Sequence, residues 1–370
     1  MHIPDGYLGP QTYAVLDVAM IPIWTVAAIK VKKTLKAKQV PLMALGAAFS
    51  FVIMMFNIPV IGGSTGHAVG ATLIAILLGP WAACISVSIA LVIQALVFGD
   101  GGITAIGANV FNMAVIMPFV GYHLYRAVCG AAPSRTRRIV ASGIASYVAI
   151  VAAATLAGFE FGIQPLIAQT AAGQPLYAPY PLRVAVPAMA LEHLLFFGWV
   201  EALATMGIVA ALERQDSALL NMKPTSKPLT WLWASLGVLI LLTPIGVLAP
   251  GTAWGEWGAE ELRGTLGFVP TGLERIGSLW TASVPDYAPA FIQNPLLGYL
   301  FAAAVGAALV IGVTWGVARL LARGDRSGSS GTPPAATRSR RSHISATAPP
   351  PNLGAVSRLL AARPTPFGTR

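Results

Sequence analysis

Charge is scarce in this chain. Of 370 residues only 10% are Asp, Glu, Lys or Arg, against about 25% in an ordinary soluble protein. Mean hydropathy is +0.69, which excludes a soluble globular domain. Cysteine is nearly absent. The two present, Cys84 and Cys129, lie in or beside apolar segments, so neither a disulfide framework nor a thiolate metal site is expected. No glycine-rich stretch ends in Lys-Ser or Lys-Thr, so the chain lacks an ATP-binding loop. Any ATP-driven work requires a separate subunit. The His-Glu-x-x-His pattern of zinc proteases is missing too. A basic leader is absent: Pro4, Asp5 and Gly6 precede the first apolar run, so no cleavable signal peptide is expected.

What the chain has instead is long apolar runs, with hydrophobic residues making up 55%. They fall roughly at 12–30, 40–60, 68–79, 81–98, 104–126, 138–158, 184–212, 231–249 and 296–320. The expected fold is an all-α polytopic transmembrane helical bundle, about seven spans plus a two-span C-terminal unit. The net charge of +10 does not indicate nucleic acid, because its placement follows the positive-inside pattern. Lys30, Lys32, Lys33, Lys36 and Lys38 mark one cytoplasmic loop. Arg126, Arg135, Arg137 and Arg138 mark a second, and Arg214, Lys223 and Lys227 a third. Arg319, Arg323 and Arg326 place the C-terminus inside. The N-terminus, 61–67, 99–103, 159–182 and 250–295 then face outward, in a multi-pass protein of the plasma membrane.

One ambiguous run is decided by the same rule. Residues 68–98 would make a helix of about 46 Å, well beyond a ~30 Å hydrocarbon core. Read as one span, they would put Arg126–Arg138 outside. A hairpin broken at Gly79-Pro80-Trp81 keeps every basic loop inside.

Composition also suggests boundaries. Residues 1–213 form one membrane unit, 214–230 a basic linker and 231–322 a two-span unit. The outer segment 250–295 of that unit carries Trp254, Trp257, Trp280, Glu256, Glu260, Glu261, Glu274 and Asp286. The tail 323–370 is basic and rich in Ser, Pro and Ala, the composition of a disordered segment. Its apolar patch Leu359-Leu360-Ala361 could touch the membrane surface.

Chemistry points first to the N-terminus. Met1-His2 offers the α-amine, the His2 backbone nitrogen and the His2 imidazole, which close a five- and a six-membered chelate ring around one ion. Such planar nitrogen sets suit Ni(II) and Cu(II). The bulky His2 should block removal of the initiator Met, keeping the amine. His67, in the outward loop Gly62-Gly-Ser-Thr-Gly-His67, can supply a fourth nitrogen. Ser64, Asn109 and Asn112 are candidates to orient these ligands, or, for the two amides, to bond neighbouring spans. Asp17, Glu192, His193 and Glu201 are ionisable groups within spans, where such groups usually have a specific role. Three readings follow: a metal relay, a structural network near the site, or an intramembrane metalloenzyme centred on Glu192, His193 and Glu201.

The segments Met1-His-Ile-Pro-Asp-Gly-Tyr-Leu8, Gln11-Thr-Tyr-Ala-Val-Leu-Asp17, Gly62 to His67, and Gly99-Asp-Gly-Gly through Asn109-Val-Phe-Asn112 resemble the CbiM/NikM family. These are the substrate-binding membrane components of energy-coupling-factor transporters for cobalt and nickel. The resemblance covers about 1–215. Residues 231–320, with Pro270-Thr-Gly-Leu-Glu274, resemble the small CbiN/NikN partner, with Thr271 where the nickel-type motif has Asp. The resemblance implies Co²⁺ or Ni²⁺ as transported substrate, bound by Met1, His2 and His67. It also implies a transmembrane coupling protein and two cytoplasmic ATPases, whose ATP hydrolysis topples the binding component to release the ion inside. A vitamin-binding component of the same transporter type would need an aromatic-lined cavity and no chelating N-terminus.

Overall fold

A computed structural model describes residues 1–60, 64–223, 227–248 and 252–323. The tail from 324 and the Gly62-Gly63 part of the His67 loop lie outside the described residues. After an extended start, α1 runs Pro10–Thr34. Pro10 at its first turn has no N–H to leave unpaired, and Lys32 and Lys33 complement its C-terminal dipole. Helix α2 spans Val40–Met54. A two-residue antiparallel ribbon follows, β1 (Ile58–Pro59) with β2 (Thr65–Gly66), Ile58 opposite Gly66. Then come α3 (Ala71–Leu78) and α4 (Pro80–Ile93). Between them Gly79 takes φ +86°, a backbone geometry open to glycine, and Pro80 starts the next helix. The hairpin thus breaks where the Gly-Pro pair sits.

Helix α5 (Ile106–Val110) passes through a wide π turn, Phe111–Ile116, into α6 (Met117–Cys129). Helix α7 (Arg135–Gly162) is the central post. Ala141, Ala145, Ala149, Ala153 and Ala157 recur every fourth residue and are fully buried. Their small side chains let neighbouring helices approach closely, as is usual inside membranes. The short α8 (Gln164–Ile167) precedes α9 (Leu182–Glu192), which continues through a π turn at His193–Phe197 into α10 (Gly198–Gln215). The last part contains α11 (Thr230–Leu242), α12 (Ala259–Leu266), α13 (Thr271–Gly277) and α14 (Pro295–Arg323).

Among the described residues, seven helices are long and apolar enough to cross a membrane, five before residue 220 and two after it. The other two apolar segments take different forms. The arm at 68–79 contains eight residues of helix, too short to cross alone. The one at 104–126 is a helix interrupted by its π turn. Many apolar side chains on the bundle's outer surface remain exposed, such as Val15, Val18, Ile21, Leu203 and Leu241. They suit a hydrocarbon solvent. The fold is therefore an all-α, multi-pass membrane bundle.

The last unit packs directly on the first. Helix α14 lies along α2, and the Tyr299 hydroxyl donates to the Met55 carbonyl at 2.7 Å. At one end of the bundle the basic loops gather. Arg138 pairs with Glu213 at 3.4 Å and donates to Asn221 at 3.1 Å. At the other end the N-terminal residues enter the core, where Ile3, Tyr7 and Leu8 are at most 1% exposed.

Candidate metal centre

The N-terminal segment is held by hydrogen bonds at nearly every step. Asn109 clamps Ile3 from both sides, accepting from its N–H at 2.7 Å and donating to its carbonyl at 3.1 Å. The Gly102 N–H also donates to that carbonyl. The Asp5 carboxylate accepts from the backbone N–H groups of Ile103 (3.0 Å) and Thr104 (2.8 Å) and from the Thr104 hydroxyl. Gly6, at φ +84°, lies so close to Leu273 that a Cβ would sit 2.6 Å from its carbonyl oxygen. The Tyr7 hydroxyl donates to the Trp257 carbonyl at 2.7 Å. Most polar groups of this buried segment are thus satisfied, whereas His2 Nε2 is buried with no hydrogen-bond partner among the described residues.

This anchoring puts His2 against His67. His2 Nδ1 and His67 Nε2 stand 3.3 Å apart, and the ring centroids 4.9 Å apart. The rings are 3% and 5% exposed. His67 Nδ1 lies 3.1 Å from the Ala68 carbonyl. The tautomer that donates there leaves Nε2 as an acceptor facing His2. Burial lowers the His67 pKa well below its ordinary value, helped by the nearby N-terminal amine and by His2. The ring is therefore neutral near pH 7, the form that binds metal. Loop 64–70 is fixed from outside: the Glu201 carboxylate accepts from the N–H groups of Val69 (2.7 Å) and Gly70 (3.0 Å).

Two carboxylates complete the surroundings. Asp100 Oδ1 lies 2.9 Å from His2 Nδ1. Its Oδ2 accepts from the Tyr287 hydroxyl at 2.6 Å and from the Gln94 amide at 3.2 Å. Burial opposes ionisation of Asp100, yet the charge and hydrogen bond of His2 hold its pKa well below the usual carboxylate range. The Met1 amine donates to Glu256 at 3.0 Å. Glu256 and Tyr287 both belong to the last unit, so that unit reaches the N-terminal nitrogens directly and through Asp100.

The arrangement can accept an ion with little movement of the rings. Nitrogens 3.3 Å apart can both reach one metal at about 2.0–2.1 Å, the usual metal–imidazole distance. The nitrogen that faces His67 is Nδ1, the one able to close a six-membered ring with the His2 backbone nitrogen. Among the described residues no three His, Cys, Asp or Glu side chains form a ready cluster. Capacity for a metal here rests on the main-chain nitrogens of Met1 and His2.

The remaining candidates are distributed as follows. Ser64 accepts from the Trp254 N–H at 3.0 Å, tying the His67 loop to the last unit. Asn112 turns away from the histidines and donates to Glu160 at 2.7 Å. Asp17 accepts from the Gly107 N–H at 2.7 Å, joining α1 to the start of α5. Glu192 lies near Ser64 and within electrostatic reach of the Met1 amine. His193 Nδ1 lies 2.8 Å from the Met189 carbonyl, within its own helix. Glu192, His193 and Glu201 thus have separate partners. Asp100, Glu256, Glu160 and Tyr287 received no role from sequence alone. Asp100 was the most accessible of them, since it lies in the quoted Gly-Asp-Gly-Gly run.

Comparisons with known proteins identify the family. Residues 2–219 match the family described as cobalt uptake substrate-specific transmembrane region, and residues 229–323 match the PDGLE domain. The fused nickel transport protein NikMN of Rhodobacter capsulatus is 51% identical over 332 residues, 84% of this chain and 95% of that protein. The cobalt transport protein CbiM of Acetohalobium arabaticum is 40% identical over 130 residues, 34% of this chain and 51% of that one. A crystal structure of a transition metal transporter superposes with a TM-score of 0.55 at 53% identity, covering 60% of this chain and 96% of its own. A truncated transition metal transporter gives 0.54 at 55%, covering 58% and 99%.

Proposed function

This chain belongs to the cobalt uptake substrate-specific transmembrane family and carries a PDGLE domain in the same polypeptide, and from that premise we propose that it captures nickel for ATP-driven import. The ligands in this reading are the Met1 amine, the His2 backbone nitrogen and Nδ1, and His67 Nε2. One observation carries it: His2 Nδ1 and His67 Nε2 face each other at 3.3 Å in a buried pocket that also holds the N-terminus.

Nickel is preferred to cobalt on two grounds. The fused nickel relative aligns over most of this chain, whereas the cobalt relative aligns over a third of it. Four nitrogens in a plane are a favoured geometry for Ni(II), which also binds more tightly than Co(II) in the general affinity order. That order would favour copper still more, so selectivity has to come from geometry and metal supply.

In the proposed arrangement residues 1–213 bind the ion, 214–230 form a linker, and 231–322 form the fused unit. The N-terminus faces outward and the C-terminus the cytoplasm, as basic-loop placement requires. The chain has no phosphate-binding loop of its own. A transmembrane coupling protein and two ATPase subunits would supply the driving force.

Uptake of radiolabelled nickel and cobalt in cross-competition tests the assignment. Cells carrying the chain with its partner subunits should take up nickel, with cobalt competing weakly. Insertion of one Ala between Met1 and His2 should abolish uptake without loss of membrane insertion. Normal uptake by that inserted variant would refute the ligand set.

A further inference from the structure

A cleft of about 650 Å³ lies between α2, α3, α10 and α11, and its walls are almost wholly apolar. Small residues carve it: Gly46 on α2, Ala204, Gly207 and Ala211 on α10, and Ala234 on α11. It opens where the first unit meets the fused one.

Its dimensions select an occupant. Along α2 it runs from Leu42 to Ile53, about 16 Å at the rise of an α-helix. That is close to one leaflet, about half of a ~30 Å hydrocarbon core. An extended hydrocarbon chain of one leaflet matches that length.

Basic residues flank one end of the cleft in the sequence. That end begins at Leu42, Leu212 and Trp231. The segments entering or leaving these helices carry Lys38, Arg214 and Lys223, all exposed. Basic residues at a membrane surface attract anionic lipid headgroups. We propose that the cleft is a phospholipid site: one acyl chain of an anionic lipid lies between α10 and α11, with its headgroup among Lys38, Arg214 and Lys223.

Gly207 gives a clean test, because a Cβ built there meets nothing within 4 Å. Gly207→Leu should fill the cleft without a clash. Gly316→Leu on α14, where a Cβ also meets nothing, serves as a control for lipid bound on the outside. The full chain would be placed in nanodiscs of phosphatidylcholine with a minor share of phosphatidylglycerol, released, and weighed by native mass spectrometry. The wild type and Gly316→Leu should each retain one phosphatidylglycerol. Gly207→Leu should lose it several-fold, and Lys38→Gln with Lys223→Gln should remove the preference for phosphatidylglycerol. Equal retention by Gly207→Leu and wild type, or no preference over phosphatidylcholine in the wild type, would overturn the site.

Discussion

The Met1 amine and the Glu256 carboxylate meet at 3.0 Å across 255 positions of sequence. The first residue of the chain is thus paired with the fused unit. That pair has to open before the amine nitrogen can turn to an ion. Glu256→Gln removes the charge and weakens the contact. Nickel affinity of the purified chain should then rise about tenfold, corresponding to roughly 1.5 kcal/mol for a charge-assisted hydrogen bond. Calorimetric titration checks this, and weaker binding would mean that Glu256 assists capture instead.

Asp100 holds His2 Nδ1, the same nitrogen that faces His67, and Tyr287 and Gln94 hold Asp100. Like the Met1–Glu256 pair, this contact has to open before the nitrogen can turn to an ion. Asp100→Asn should therefore raise nickel affinity, by about tenfold for a lost charge-assisted hydrogen bond of roughly 1.5 kcal/mol, with folding retained; weaker binding would mean that Asp100 positions the ring instead. The same titration reads the effect, and thermal unfolding of the metal-free protein provides the control.

The two asparagines of the Asn109-Val-Phe-Asn112 motif should behave differently. Asn109→Ala leaves the buried N–H of Ile3 without its bond, which costs ~1–3 kcal/mol. It should lower both thermal stability and nickel affinity. Asn112→Ala removes the partner of Glu160 and should lower stability while nickel affinity is nearly unchanged. Equal loss of affinity in both variants would show that Asn112 also positions the ligands.

Glu201 controls the far side of the His67 loop. Its carboxylate accepts from two successive N–H groups just after His67. Glu201→Gln cannot satisfy both as well, because only one amide oxygen accepts. Hydrogen exchange at Val69 and Gly70 should quicken, and nickel affinity should fall. Unchanged exchange would remove Glu201 from the account of the loop.

The bundle was legible because membrane helices advertise themselves in composition, and Gly79-Pro80 marked the hairpin break through backbone chemistry alone. The π turn at Phe111–Ile116 was not legible, since one extra residue per turn barely disturbs apolar periodicity. At the site, Met1 and His2 could be read as a chelate because their geometry is local. His67 needed only the inference that its loop shares a face with the N-terminus. Glu256 could not be found that way: no periodicity links residue 256 to residue 1, and its acidic neighbours look alike. Asp100 was visible, but its role depends on which ring nitrogen of His2 turns toward it. Asn112 was grouped with Asn109 by motif. Asn109 lies before the π turn at Phe111–Ile116 and Asn112 within it, and the two amides have different partners.

The central claim concerns which atoms hold the ion, and X-ray absorption spectroscopy of the nickel-loaded full chain tests it most directly. The spectrum should show a planar site with four nitrogen neighbours and no sulfur. An Ala inserted between Met1 and His2 should abolish that spectrum. A six-coordinate oxygen-rich site in the wild type, or the same planar spectrum in the inserted variant, would contradict it.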